Sequence, residues 1–415
     1  MNLFLAYIDP GTGSMLFAIL IGIIGALNYV VKTWIVKLRF LFSSGKRIEV
    51  ADKKLPLVIF SDDKRYWSVF EPVCRELNER GMETVYMTAS PNDPALSNPY
   101  EHIHAEFIGE NNKAFARLNF LKATMVLSTT PGLDVYQWKR SKDVDYYIHM
   151  LHAANEIAGY RMFGVDYYDA LLLSGAYQER DTRNLEKLRH LPAKEIVMTG
   201  IPYMDEMVKR LEQAPKLPEH PRTVLLAPSW GPSSIFHKFG EELIELLIKT
   251  GYEIIIRPHP QSFTSEEELM DRLMTKYPES EKLSWNRDND NFDVLRKADI
   301  MISDFSGVTF DFALVYDKPI IYADTEFDKA PYDAWWLDTP YWTFTALPRI
   351  GEKLTKDNIS QVKQLIDRCL EDPKYAQGRN EVREETWVNP SEGTKRTVDY
   401  LMKKYEELVQ KEERK

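Results

Sequence analysis

Residues 298–324 read ADIMISDFSGVTFDFALVYDKPIIYAD. A short apolar run ends at Ser303 and Asp304, a loop follows with Ser306 and Gly307, and an apolar helix is predicted over 308–316 before a second strand at 319–322. Strand, tight loop, helix and strand in that order predict a parallel sheet covered on both faces. The first turn of such a helix offers free N–H groups and the positive end of its dipole, a site for a phosphate. The same residues also suit a plain helix start, with Ser306 or Asp304 capping backbone N–H groups.

Working outward, the alternation extends over most of the chain. Strands are predicted at 57–60, 83–87, 104–108, 124–128, 146–149, 170–173 and 195–198, then at 223–227, 253–257, 299–303 and 319–322; helical spacing marks 66–80, 178–189, 239–249, 266–277 and 394–409. Between the two sets, 211–222 contains Pro215, Pro218 and Pro221 and no apolar periodicity, which makes it the predicted linker. The chain of 415 residues, 44% apolar, is long enough for two such domains. Expected boundaries are an N-terminal α/β domain over 55–212, a C-terminal α/β domain over 213–390, and a final helix over 391–415 that packs back on the first. Two such domains facing a cleft predict ligands at the carboxyl ends of the strands.

The start of the chain differs. Residues 15–31 are uncharged, and the apolar character resumes after Lys32 through Trp34, Ile35 and Val36. A helix over about 14–36 is long enough to cross a ~30 Å hydrocarbon layer. Residues 1–54 carry a charge of +4 within a chain of net charge −10, and Lys37, Arg39, Lys46, Arg47, Lys53 and Lys54 all follow the apolar run. Nothing basic precedes it, so it reads as a single-pass anchor rather than a cleaved signal, with the catalytic domains on the cytoplasmic side of the cell membrane. The alternative is a buried core helix. The acidic balance of the remainder argues against a nucleic-acid partner. Cys74 and Cys369 have neither disulfide-framework nor metal-ligand spacing.

Two further strand ends carry polar chemistry. In IIIRPHPQ (254–261), Pro258 and Pro260 stiffen the backbone around His259, so that Arg257 and His259 are presented to an oxyanion beyond the strand. In YYIHMLHAA (146–154), His149 and His152 are each candidate general bases, and either suits packing within the sheet equally well. No third ligand accompanies that pair, and no metal or other cofactor is expected. Asp288, Asn289 and Asp290 read as a turn before a helix near Phe292.

Taken in order, these segments resemble the CDP-glycerol glycerophosphotransferase family, the membrane-associated teichoic acid polymerases and primases of bacteria. The family's strand-closing histidine corresponds to His152, and its GxPxxD turn to Gly200-Ile201-Pro202-Tyr203-Met204-Asp205. Its APTW-like strand end corresponds to Ala227-Pro228-Ser229-Trp230, its RPHP loop to Arg257-Pro258-His259-Pro260, and its SDYSS segment with FD to Ser303-Asp304-Phe305-Ser306-Gly307 with Phe310-Asp311. The resemblance covers about residues 140–325 and implies an α/β fold of the GT-B type, with an N-terminal Rossmann-like acceptor domain, a C-terminal Rossmann-like donor domain and no metal. It implies His152 as base on the acceptor hydroxyl, with His149 the other candidate, and Asp311 near the donor's ribose or the reacting phosphate. Arg257, His259, Ser229, Ser303, Asp304, Ser306 and Gly307 would hold the donor.

The implied reaction moves a polyol phosphate, glycerol phosphate first among them, from a CDP-activated donor to a hydroxyl of a lipid-linked or cell-surface polymer. A GT-B glycosyltransferase using a nucleotide sugar, and a nucleotide-binding relative without turnover, are the alternatives. Three departures bear on acceptor and polyol. Ala153-Ala154 stands where the family has Gly-Thr-Pro, Gly307 replaces the second serine of SDYSS, and an aromatic segment (Trp335, Trp336, Tyr341, Trp342, Phe344) replaces the Arg-Gly and Pro-Gly-Pro features after the FD helix.

Overall fold

The computed structural model describes residues 54–288, 290–323 and 327–414. The expected membrane-crossing segment at 14–36 lies outside them; among the described residues no helix is long and apolar enough to cross a membrane.

Strands β1 (Leu55–Ser61), β2 (Thr84–Thr88), β3 (Ile103–Phe107), β4 (Lys122–Ser128), β5 (Asp143–Met150), β6 (Ala170–Leu173) and β7 (Glu195–Met198) form one sheet in the order β3-β2-β1-β4-β5-β6-β7. Every neighbouring pair is parallel. A second all-parallel sheet contains β8 (Thr223–Leu226), β9 (Glu253–Ile256), β10 (Leu283–Trp285), β11 (Ile300–Ser303), β12 (Ile320–Ala323) and β13 (Gly351–Leu354), in the order β10-β9-β8-β11-β12-β13.

The continuous apolar runs explain the two-sided covering. In β1, Leu57 and Ile59 face one buried cluster with Phe70 and Leu77, while Val58 and Phe60 face another with Leu118 and Trp138. A period of two with both faces apolar requires helices on both sides of the sheet. Strands β10 and β13 were not evident in the sequence. Each lies at a sheet edge, and β13 spells GEKL, whose two middle side chains are not buried.

The chain leaves the first sheet along the helix Pro202–Gln213 and returns to it at the end. Helix Gly393–Glu413 lays Val398 and Leu401 into the cluster formed by Phe70, Val73, Leu77, Met125 and Ile148. This return is latched by Asp205. Its carboxylate accepts from Trp387 Nε1 at 3.0 Å and from the backbone N–H groups of Ser391 and Gly393 at 2.7 and 2.8 Å. Gly200 has φ +96°, and a Cβ there would lie 2.6 Å from the Val388 carbonyl. Glycine is therefore required both for its φ and for the close approach of the returning chain. The glycine and aspartate of the GxPxxD turn thus serve chain crossing rather than ligand contact.

A shared apolar cluster joins the two halves, with Tyr177, Ile201 and Met204 from the first and Phe310, Trp342 and Trp387 from the later chain. Within it the rings of Trp342 and Tyr177 stack at 4.1 Å. Thr343 donates its hydroxyl to the buried Glu156 at 2.8 Å. Part of the aromatic segment is therefore used in packing, whereas Trp335 remains 66% exposed.

Candidate active site

In a doubly wound sheet the ligand crevice opens where the strand order reverses, outside the carboxyl ends of the strands on either side. That point lies between β1 and β4 in the first sheet and between β8 and β11 in the second. The loops concerned are those after Ser61, Ser128, Leu226 and Ser303.

On the first half, Thr130 Oγ1 donates to Asp62 Oδ1 at 2.9 Å, and Thr129 Oγ1 lies 2.7 Å from His152 Nδ1. The His152 ring stands 5.0 Å from that of Tyr66, and the Arg65 guanidinium lies 5.4 Å from the Tyr66 ring centre. Burial, seconded by the Arg65 charge, lowers His152 to about 4, so the imidazole is neutral near pH 7. Asp62 meets solvent in the crevice, yet the surrounding protein raises its carboxyl, against the Thr130 hydroxyl, which lowers it.

His149 is placed differently. It sits within β5, fully buried, with Nε2 2.9 Å from the Tyr160 hydroxyl and its ring between those of Tyr160 and Tyr168. Burial lowers it to about 3. Of the two histidines, only His152 lies beyond the strand end with part of its surface accessible.

On the second half, His259 Nδ1 accepts the Gln261 backbone N–H at 3.1 Å. In the neutral ring this puts the remaining proton on Nε2, which becomes a donor. His259 is lowered to about 4 by burial first and then by Arg65, a residue of the other half. The Arg65 charge thus lowers both His152 and His259.

Asp304 organises this wall. Its buried carboxylate accepts from the N–H groups of Ser229 (3.0 Å), Ile235 (3.0 Å) and Ser306 (3.2 Å), binding the loop after β8 to the loop after β11. Ser303 donates its hydroxyl to the Ala227 carbonyl at 2.6 Å, so it too fastens these loops together. Helix Val308–Val315 starts at Gly307, and among the described residues nothing accepts from the N–H groups of Gly307 and Val308. Among the described residues the buried hydroxyls of Ser229, Ser234, Ser262 and Thr309 also lack partners. The open N–H groups at the start of the helix suit an anionic ligand.

Two predicted site residues stand apart. Arg257 is turned toward the loop after β10, where it bonds the Asn286 side chain and the Asp288 carbonyl, the latter at 2.9 Å. Asp311 is buried beside Tyr203 and Tyr316, with Oδ1 unpartnered among the described residues, and burial alone raises it to about 7. Conversely, Asp62, Arg65, Tyr66 and Thr129 were not singled out from the sequence. Their one signal was position, since they follow directly on the apolar runs that became β1 and β4.

Two parallel-sheet halves whose strand orders each reverse once give the chain an α/β fold of the GT-B type. Among solved structures, the wall teichoic acid polymerase TagF soaked with CDPG is similar at a TM-score of 0.56 and 14% identity, over 92% of this chain and 99% of that one. The UDP-GlcNAc 2-epimerase of Methanocaldococcus jannaschii, in complex with UDP-GlcNAc and UDP, is similar at 0.55 and 12% identity, over 83% and 99%. MnaA of S. aureus with UDP follows at 0.55 and 13% identity, over 86% and 98%. At these identities the likeness is one of fold. No curated protein sequence matches the chain. The family assignment comes from residues 149–394, more than half of the chain, which match the CDP-Glycerol:Poly(glycerophosphate) glycerophosphotransferase family. The chain belongs to that family and is a CDP-glycerol glycerophosphotransferase-like enzyme.

Proposed function

We propose that the protein transfers glycerol phosphate from CDP-glycerol to a hydroxyl of a lipid-linked or cell-surface polymer, as in teichoic acid synthesis. The observation that supports this reading is the approach of the two loops that carry the predicted residues: a Cβ at Gly307 would lie 3.1 Å from Nδ2 of Asn155, three residues past His152. In the proposed step, His152 Nε2 takes the proton from the acceptor hydroxyl. The oxygen attacks the distal phosphorus of the donor, the bridging P–O bond breaks, and CMP leaves with the bonding pair. Such a transfer depends on positioning and on stabilising negative charge. His259 Nε2–H, the Arg65 guanidinium and the free N–H groups of Gly307 and Val308 supply that stabilisation, with Ser306 beside them. Asp304, Ser303 and Ser229 hold the donor wall in shape, and Arg257 braces it from the loop after β10.

The uncharged run at 15–31 and its basic flank support anchoring in the cell membrane, with the crevice on the cytoplasmic side, where a CDP-activated donor and a lipid-linked acceptor meet. The test is to incubate membranes carrying the full chain with labelled CDP-glycerol, CDP-ribitol and UDP-sugars. Polymer labelling from CDP-glycerol, lost in His152→Ala, is expected. Labelling from a UDP-sugar alone would make it a glycosyltransferase, and nucleotide binding without any transfer would make it an inactive relative.

A further inference from the structure

Gly307 is not glycine for the sake of its backbone. Its φ of −58° and ψ of −30° are those of any helical residue. Space is the reason: a Cβ at this position would lie 3.1 Å from Nδ2 and 3.2 Å from Oδ1 of Asn155. The carboxamide of a first-half loop therefore fills the volume in which a serine side chain at 307 would begin. Asn155 and Gly307 both fall where this chain leaves the family pattern, three residues past His152 in one case and at the second serine of SDYSS in the other.

The loop that carries Asn155 is held firmly. Its backbone carbonyl accepts from Gln178 Nε2 at 2.8 Å, and the buried Gln178 in turn accepts from the N–H groups of Ser174 and Gly175 at 2.8 and 3.1 Å. Among the described residues the Asn155 carboxamide itself has no hydrogen-bond partner, although the residue is only partly exposed. A carboxamide brings two N–H donors and an acceptor oxygen. Here they lie beside the open N–H groups at the start of helix Val308–Val315.

We propose that Asn155 binds the nucleotide diphosphate of the donor, its Nδ2–H2 group taking over from the first half the hydrogen bond that a serine hydroxyl at 307 would make from the second. This rests on the proposed function, since it presumes that a diphosphate lies at the 304–307 loop. A serine Cβ at 307 would press on the Asn155 carboxamide, which must give by a few tenths of an ångström to admit it, so the two positions are coupled.

The test is a mutant cycle on the full chain in detergent, measuring steady-state transfer and CDP-glycerol binding by calorimetry. Asn155→Ala is expected to raise both KM and Kd for CDP-glycerol by about tenfold or more, with kcat changed less, as loss of a hydrogen bond to a charged group implies. Asn155→Asp, nearly the same shape, should weaken binding further by placing a carboxylate against the diphosphate. Gly307→Ser alone should also weaken binding, whereas Asn155→Ala with Gly307→Ser should recover most of the loss. Melting temperatures within a few degrees of the unmodified chain identify the folded variants, and the Asp variant keeps the test open where the Ala variant does not fold. Unchanged KM and Kd in the Ala and Asp variants, or losses that add in the double variant, would overturn the inference while leaving the transferase reading intact. Failure of the unmodified chain to bind CDP-glycerol would overturn both.

Discussion

Thr129 Oγ1 lies 2.7 Å from His152 Nδ1, at the ends of two neighbouring strands, β4 and β5. With His152 donating its Nδ1–H to that hydroxyl, the Nε2 lone pair is left for the acceptor, and the threonine can accept in that tautomer. Thr129→Val is expected to lower kcat about tenfold with Kd for CDP-glycerol unchanged. His152→Ala should lower kcat by ~10²–10⁴ with the donor still bound. A Thr129→Val protein with normal kcat and weakened donor binding would place His152 in the wrong role.

His149 gives the contrasting result. Its ring is part of the packing between Tyr160 and Tyr168, so His149→Ala should lower the melting temperature, with a cost of ~2–4 kcal/mol for the cavity. Transfer per folded molecule should stay within a few-fold of normal. Abolished transfer in a folded His149→Ala protein, beside an active His152→Ala protein, would reverse the assignment.

On the donor side, His259 and Arg65 are expected to contribute to binding and to charge stabilisation together. His259→Ala and Arg65→Ala should each raise KM for CDP-glycerol at least about tenfold, with kcat also reduced. The readout is steady-state kinetics at constant ionic strength. Normal parameters for Arg65→Ala would remove it from the crevice chemistry.

Stability should depend on pH through two opposed sets of groups. Asp311 and Glu156 are raised by burial to about 7 from ordinary values of 3.8 and 4.5. Between those limits the folded form holds more protons, so their contribution falls as pH rises. His149, lowered to about 3, and His152 and His259, each lowered to about 4, act the other way, because below 6.5 it is the unfolded chain that takes up protons. Each fully developed difference changes stability by ~1.4 kcal/mol per pH unit. Asp311→Asn removes one member of the first set. Its melting temperature relative to the unmodified chain should climb from about pH 4 to about pH 7 and level off above, and a difference flat across that range would refute the burial argument.

The latch at Asp205 makes the last prediction. Asp205→Ala strands the buried Trp387 indole N–H and the buried Gly393 N–H, and frees that of the exposed Ser391. A loss of ~2–4 kcal/mol is expected, together with earlier proteolysis of the C-terminal helix than of the sheets. Limited proteolysis followed by mass measurement checks the order of cleavage.

Much of this architecture follows from local patterns. The apolar runs of β1, β4, β8 and β11 are self-evident in the sequence because a strand buried on both faces has no polar alternation to blur it. The edge strands β10 and β13 were missed for the converse reason, as their exposed positions dilute the apolar signal. His152, His259 and the 303–307 loop stood out because each follows such a run directly. Asp205 and Asp304 also drew notice, yet their oxygens are taken up by backbone N–H groups from distant segments, which no spacing reveals.

By itself, the sequence determined the α/β alternation and the identity of the strand ends that bear polar residues, since period and punctuation are properties of neighbours along the chain. Only the tertiary structure decided which of those ends meet. The reversal of strand order between β1 and β4 and between β8 and β11 arises from long-range pairing. That reversal brought Asp62, Arg65 and Thr129 to the crevice, sank His149 into the sheet, and set Asn155 against Gly307 across a distance in sequence that local pattern does not span.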